Sequence, residues 1–273
     1  MSLARLQTPS FCIITPGTPE YLSCFASQSK THLALAHIVD RNPQYAEFYK
    51  TLASNGDYVI MDNSAFEIQN GHDSDQLIEL GKKCGASALV LPDYPFQPAE
   101  VTISAAVRYI PLFKREGFHT FFVPQSEKGD WGDWSSAYNW AATTPDIDII
   151  GMSILGIPNA LPHLPAAYAR VVATEVLQKQ GKFAYHKFHH YLGLNAGPNL
   201  EIPALIKMGA LDTCDSSNPV WAGVLGHQYS TNTDSYMPSK KAKMEVDFEH
   251  SHLDDDTKAR IQYNIDLTLQ LFN

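Results

Sequence analysis

The sequence predicts a (β/α)8 barrel of the TIM type, with an irregular insert after the last strand and a C-terminal closing helix. Three observations carry that expectation. Eight short apolar runs recur along the 273 residues, mostly separated by stretches of helical spacing. The runs are apolar throughout rather than alternating, as in parallel strands buried on both faces. Eight strand–helix units of this kind close into a barrel. The competing architecture, an open doubly wound sheet, usually carries a Gly-rich turn after its first strand. Here that turn is Pro16-Gly17-Thr18-Pro19.

Residues 1–10 read as a leader. Residues 11–15 (FCIIT) form the first strand, stopped by Pro16-Gly17. Residues 33–39 (LALAHIV) form the second, stopped by Asp40. Tyr45, Phe48, Tyr49 and Leu52 recur at helical spacing within 43–53, and Asn55-Gly56 ends that helix. The third strand, 58–61, delivers Asp62, and a helix capped by Ser74 runs to Cys84. Strand 88–91 delivers Asp93 and is followed by a helix over 98–116. Strand 120–123 ends at Gln125, and a short helix covers 133–142. Strand 147–150 runs into Gly151, with a helix over 165–180. Strand 190–194 is followed by a helix over 200–208, and 211–214 is the eighth strand. Residues 218–253 are the insert, rich in Ser, Asn, Asp and His, and 254–272 the closing helix. With no linker and no internal repeat, the 273 residues read as one barrel domain.

Composition narrows the function classes. Four scattered cysteines without a C-x-x-C pair argue against a zinc ribbon or a disulfide scaffold and fit a reducing cytoplasm. No apolar run has the length of a membrane span, and no signal-peptide pattern is present. The net charge of -9 is not that of an obvious nucleic-acid binder, although a local basic face can bind whatever the sum.

Strand C-termini of such a barrel converge on one face, where the active site lies. The residues delivered there are Asp62, Asp93, Gln125, Gly151, Tyr191 and Asp215. Asp215, where the eighth strand runs out, either caps the following segment with Ser216 and Ser217 or does chemistry. Three carboxylates around one mouth suit a hard-metal site or metal-free glycosyl chemistry, with one carboxylate as nucleophile and another as acid/base. His186, His189 and His190 invite a metal reading, but strand pleating sends His189 and His190 to opposite faces.

Six segments, in order and each at an expected strand end, carry a resemblance. They are YVIMDNSAFE (58–67), LVLPDYP (89–95), FFVPQS (121–126), DIIGMSILG (148–156), HYLGLNAGP (190–198) and MGALDTCDSS (208–217). The chain resembles the tRNA-guanine transglycosylase superfamily. Its closest resemblance is to the zinc-free DpdA-type enzymes of phages and bacteria, which place 7-deazaguanines into DNA.

The resemblance implies a barrel enzyme that exchanges guanine in a polynucleotide for a 7-deazaguanine base, 7-cyano-7-deazaguanine or a relative. Asp215 would be the nucleophile at the anomeric carbon, and Asp62 the acid/base. Asp93, Gln125, Asn63 and the backbone near Gly151 would hold the base, and Phe66 and Tyr191 would wall its flat ring. For Tyr191 a plain core role weighs equally. Asp212 is the alternative nucleophile.

The sequence departs from the family pattern at Ser64, Ala65, Glu67 and His190, and its YLG is one residue shorter than Y-L-M-G. The family's zinc signature is absent from these residues, so neither zinc nor another cofactor is expected, and DNA is the expected polymer. The target base must be flipped out or single-stranded. Phosphate contacts would help offset that cost, from Lys179, Lys182, Lys187, Lys240, Lys241 and Lys243. Trp131 and Trp134 either wedge the strand or pack at a helix start. The expected partners are DNA and the free base, in a cytoplasm (the host's, for a phage protein) and away from membranes. A homodimer or partner protein is left open. A zinc-free tRNA enzyme, a nucleosidase or base-salvage hydrolase, and a non-enzymatic binding barrel are the alternatives.

Overall fold

Eight parallel strands alternate with helices and form a nearly closed barrel, as the apolar runs predict. The computed structural model describes residues 3, 9–64, 74–194, 197–232, 235–236 and 247–273. In chain order the elements are β1 (Ser10–Ile13), α1 (Pro19–Cys24), β2 (Thr31–Leu35), α2 (Ala36–Arg41), α3 (Pro43–Ser54) and β3 (Tyr58–Asp62). Then come α4 (Ser74–Cys84), β4 (Ala88–Val90), α5 (Ala99–Arg115), β5 (His119–Phe122), α6 (Trp131–Thr143) and β6 (Ile149–Gly151). The last are α7 (Gly156–Ala160), α8 (Ala166–Lys179), β7 (Phe188–Tyr191), α9 (Pro198–Lys207), β8 (Thr213–Ser216), α10 (Asn218–Val224) and α11 (Asp255–Gln270).

The ladder runs β1-β8-β7-β6-β5-β4-β3-β2. Side chains bridge the seam where β1 meets β2. Ser10 Oγ lies 3.1 Å from Thr31 Oγ1, and Ser29 Oγ donates to the Phe11 carbonyl at 2.8 Å.

Side-chain alternation along each strand divides the core into two layers. Outward residues pack under the helices: Phe122 against Trp140, His189 between Tyr138 and Phe183, Phe11 against Phe272. Inward residues fill the barrel. Phe121 meets the His190 ring edge-on there, with centroids 5.5 Å apart.

Several boundaries differ from expectation, three of them for physical reasons that the structure displays. The apolar run 33–39 is not one strand. Leu35 ends β2 and α2 begins at once, because a short continuous apolar run carries no period to separate strand from helix. The seventh strand is Phe188–Tyr191 rather than 190–194, and it starts two residues early because both of its polar histidines find buried partners. The eighth strand is Thr213–Ser216 rather than 211–214, so Asp215 lies inside it. The insert is not wholly irregular, since it opens with α10.

That helix packs on α11 through a glycine. A Cβ on Gly223 would sit 2.4 Å from Ile261 Cγ1 and 2.8 Å from the Ile261 nitrogen. Backbone cannot yield as a flexible side chain can. Gly223→Ala is therefore expected to lower stability by about 1–3 kcal/mol, read as a lower urea midpoint at unchanged slope. An unchanged midpoint would mean that the two helices separate freely.

Candidate active site

A cavity of about 330 Å3 opens at the C-terminal end of the strands. Asp62, Asn63, Asp93, Gln125 and Asp215 all line it, delivered by β3, β4, β5 and β8. Leu33, Leu35, Val123 and Leu192 supply apolar wall, as do Ile154 and Leu155 after β6.

Asp215 is 8% exposed. Its Oδ1 accepts from the Gly193 backbone N–H at 2.8 Å and lies 3.1 Å from His190 Nε2. His190 is fully buried, and its Nδ1 lies 2.6 Å from Thr213 Oγ1. Asp215 is thus not a helix cap. Ser217 is the N-cap of α10, with no side-chain capping bond. The alternative nucleophile is at the wrong end. Asp212 precedes β8, accepts from the His189 N–H at 2.7 Å, and lines a separate cleft with Pro145, Lys187 and Phe188 at the N-terminal end of the barrel. Burial raises the Asp212 pKa.

Asp62 ends β3, and its Oδ2 accepts from the Ser64 N–H at 2.9 Å. Ser64 has φ of 57°, a left-handed backbone that glycine adopts with less strain. Its hydroxyl lies 2.9 Å from His37 Nδ1 and accepts from the His37 N–H at 3.2 Å. These bonds over-determine the turn that presents Asp62 and Asn63.

Asp93 sits between two amides. Asn63 Nδ2 donates to its Oδ1 at 2.8 Å, and Gln125 Nε2 to its Oδ2 at 2.6 Å. Asn63 Nδ2 also donates to the Leu91 carbonyl at 2.9 Å. Burial raises the Asp93 pKa, and the two amide bonds only partly oppose it.

Other expected site residues lie elsewhere. Tyr191 points outward from the barrel. It is fully buried, its hydroxyl lies 2.8 Å from Thr174 Oγ1 on α8, and the Arg170 guanidinium stands 5.5 Å from its ring centroid. As the residue after inward-facing His190, it cannot wall the cavity. Gly151 lies beneath the cavity rather than in its wall. A Cβ there would come within 2.6 Å of the Phe121 ring and 2.9 Å of Val123 Cγ2. Phe66, Lys240, Lys241 and Lys243 lie outside the described residues.

Lys179, Lys182 and Lys187 stand at the opposite face, around the C-terminus of α8 and the start of β7. Lys179 pairs with Glu175, and Lys187 Nζ donates to the carbonyls of Thr144 and Ile147 at 2.8 and 2.6 Å. They cannot grip a polymer seated at the mouth. Trp134 is core: it is buried, stacks on Trp131, and donates to the Pro124 carbonyl at 3.1 Å. His186, His189 and His190 diverge, and among the described residues no three His, Cys, Asp or Glu side chains are grouped as a metal site. No helix among them is long and apolar enough to cross a membrane.

The chain matches no protein-family model and no curated protein.

Sequence reasoning passed over three features of the mouth. Tyr94 and Phe96 flank Pro95 directly after Asp93 and stand 42% and 50% exposed, although Pro95 itself lines the cavity. Aromatics beside a strand-end carboxylate were the legible signal. The Gly193 amide had no signal, because any residue but proline offers an N–H. His190 stood out in the sequence only as a departure from the family pattern and as one of three histidines that invite a metal reading, not as a partner of Asp215.

Proposed function

We propose that this chain is a base-exchange transglycosylase that replaces guanine in DNA with a 7-deazaguanine base through a covalent Asp215–glycosyl intermediate. The observation that carries the reading is the meeting in one cavity of an oriented carboxylate (Asp215), a second carboxylate (Asp62) and an amide-flanked third (Asp93). The sequence resemblance supplies the exchange reaction and, with the missing zinc signature, DNA as the polymer.

In the first step an Asp215 oxygen bonds to the sugar C1′, and the C1′–N9 bond breaks. The bond's electron pair leaves on guanine, which takes a proton from the acid form of Asp62. In the second step the incoming base, losing its proton to Asp62, attacks C1′, and Asp215 leaves as a carboxylate. Asp93 accepts from the N–H edge of either base, with Asn63 and Gln125 holding its plane. The cavity is at the lower end of small-molecule sites, which run from about 300 to 1,000 Å3, and suits one extruded nucleotide rather than a duplex.

One observation favours a second reading, a hydrolase or exchanger of free nucleosides. In the described segments that join each strand to the next helix, Lys128 is the only lysine or arginine. Phosphate contacts in the first reading therefore fall to Lys128 and, outside the described residues, to Lys240, Lys241 and Lys243. The described residues flanking that stretch are at the mouth: Tyr236 N–H donates to Asn199 Oδ1 at 3.1 Å, and Phe248 lines the cavity.

Release of radiolabelled guanine from DNA, tRNA and guanosine, with and without 7-cyano-7-deazaguanine, tests these readings together. Base-dependent release from DNA is expected. Release from guanosine alone, without an acceptor base, would establish the nucleosidase, and release from tRNA alone would move the polymer.

The Asp93 environment adds a pH dependence. Its raised pKa means that, as pH falls, it takes up a proton earlier than an ordinary aspartate. The protonated carboxyl is a poorer acceptor for a base N–H. The KM for the incoming base is expected to rise on acidification at a pH above the usual Asp range, and Asp93→Asn to be weak at every pH. A KM that stays flat down to pH 4 would remove Asp93 from base binding.

A further inference from the structure

Asp215 presents its two oxygens differently. Among the described residues, both hydrogen-bond contacts on the carboxylate fall on Oδ1: the Gly193 N–H from the loop after β7, and His190 Nε2 from inside the barrel. His190 has no solvent exposure and meets the Phe121 ring edge-on at 5.5 Å. It does not line the cavity, so it cannot touch a substrate there. Its other nitrogen faces Thr213 Oγ1 at 2.6 Å. Thr213 and Asp215 are two residues apart on β8 and face the same way, with the imidazole spanning them from the neighbouring strand.

We infer that His190 is a positioning residue for the nucleophile: it holds Asp215 Oδ1 through Nε2–H and leaves Oδ2 as the atom that attacks the sugar. Thr213 sets the tautomer, its hydroxyl donating to Nδ1 so that the proton stays on Nε2. The inference rests on the reading of Asp215 as nucleophile. A carboxylate free to rotate samples many attack angles, whereas one clamped through a single oxygen presents the other at a fixed one. During attack the bond forms from Oδ2 to C1′. Oδ1 becomes the ester carbonyl oxygen and keeps both donors, so they need not reorganise. When the incoming base displaces the ester, the same two donors receive the returning carboxylate charge.

The test compares wild type with His190→Gln, His190→Leu and Thr213→Val in the guanine-release assay. It also follows the His190 ring N–H by NMR in wild type and Asp215→Asn. Gln places an amide N–H near the position of Nε2, and Leu offers no donor. His190→Leu is expected to lose about 100-fold in kcat with KM within about twofold. His190→Gln should recover most of that loss, and Thr213→Val should fall between. The ring N–H of wild type should be protected from exchange and should shift in Asp215→Asn.

Unchanged kcat in His190→Leu would overturn the inference, as would a loss that appears in KM alone. If His190→Leu fails to fold, Thr213→Val and His190→Gln decide: equal loss in both, with a ring N–H indifferent to Asp215→Asn, overturns it. No release by wild type from any substrate, with the ring N–H still coupled to Asp215, would instead sink the proposed function while leaving the clamp in place.

Discussion

Asp215→Asn is expected to abolish guanine release, by on the order of 10,000-fold or more, while leaving the fold intact. The amide keeps the shape of the carboxylate and can still accept from the Gly193 N–H through its oxygen, but it cannot form the glycosyl ester. In wild type, a denaturing gel of enzyme mixed with labelled DNA should show a covalent adduct that disappears on adding the incoming base. The variant should show none.

Asp212→Asn is the matched control. Asp212 accepts from the His189 N–H at the opposite end of the barrel, and an asparagine oxygen can do the same. Its release should stay within a few-fold of wild type. Adduct formation by Asp215→Asn, or its loss in Asp212→Asn, would reassign the nucleophile.

The largest stability effect is expected at Arg170. This guanidinium is fully buried, and all five of its N–H donors are used. Nε and one terminal nitrogen grip Glu201 at 2.6 and 2.7 Å. The remaining donors reach the carbonyls of Met152, Leu192 and Gly193 at 2.9, 3.0 and 2.7 Å. The pair therefore staples α8 to α9 and ties both to the strand ends after β6 and β7. Gly193 is held by its carbonyl from behind while its N–H points at Asp215.

Removing one partner strands a buried charge, at a cost of about 3–5 kcal/mol. Glu201→Gln and Arg170→Met should each lower the unfolding free energy by that amount, read as a lower urea midpoint at unchanged slope. Arg170→Met combined with Glu201→Leu should recover part of the stability, because no charge is left uncompensated. It should not recover activity, since the three carbonyls lose their donors and the Gly193 loop its anchor. Single variants that cost under about 1 kcal/mol would show that water reaches the pair.

Two predictions on one loop thus read different quantities. The Arg170 pair anchors the loop after β7, and in the proposed function Asp215 forms the bond to the sugar. A variant that loses stability and activity together belongs to the first class, and one that loses only kcat to the second.

The chain by itself determined the architecture and the order of the strand ends. Apolar runs at 58–61, 88–91 and 120–123 each terminate in a side chain that lines the cavity: Asp62, Asp93 and Gln125. That much is legible because burial on both faces demands apolar residues, and the first polar one marks where the strand meets solvent. Phase and end were decided only by the tertiary structure. Asp212 and Asp215 are three residues apart, about 10 Å along a strand, and a boundary two residues out sends one of them to the far end of the barrel. Tyr191 read equally as wall or core, and only the structure makes it core, because one step along a strand exchanges interior for exterior. Lys179, Lys182 and Lys187 read as a basic face, yet helix direction carries them away from the mouth. His190 stayed hidden for the plainest reason: its partners come from β8 and β5, and no local pattern records that a buried imidazole will be satisfied by residues that the chain brings beside it only on folding.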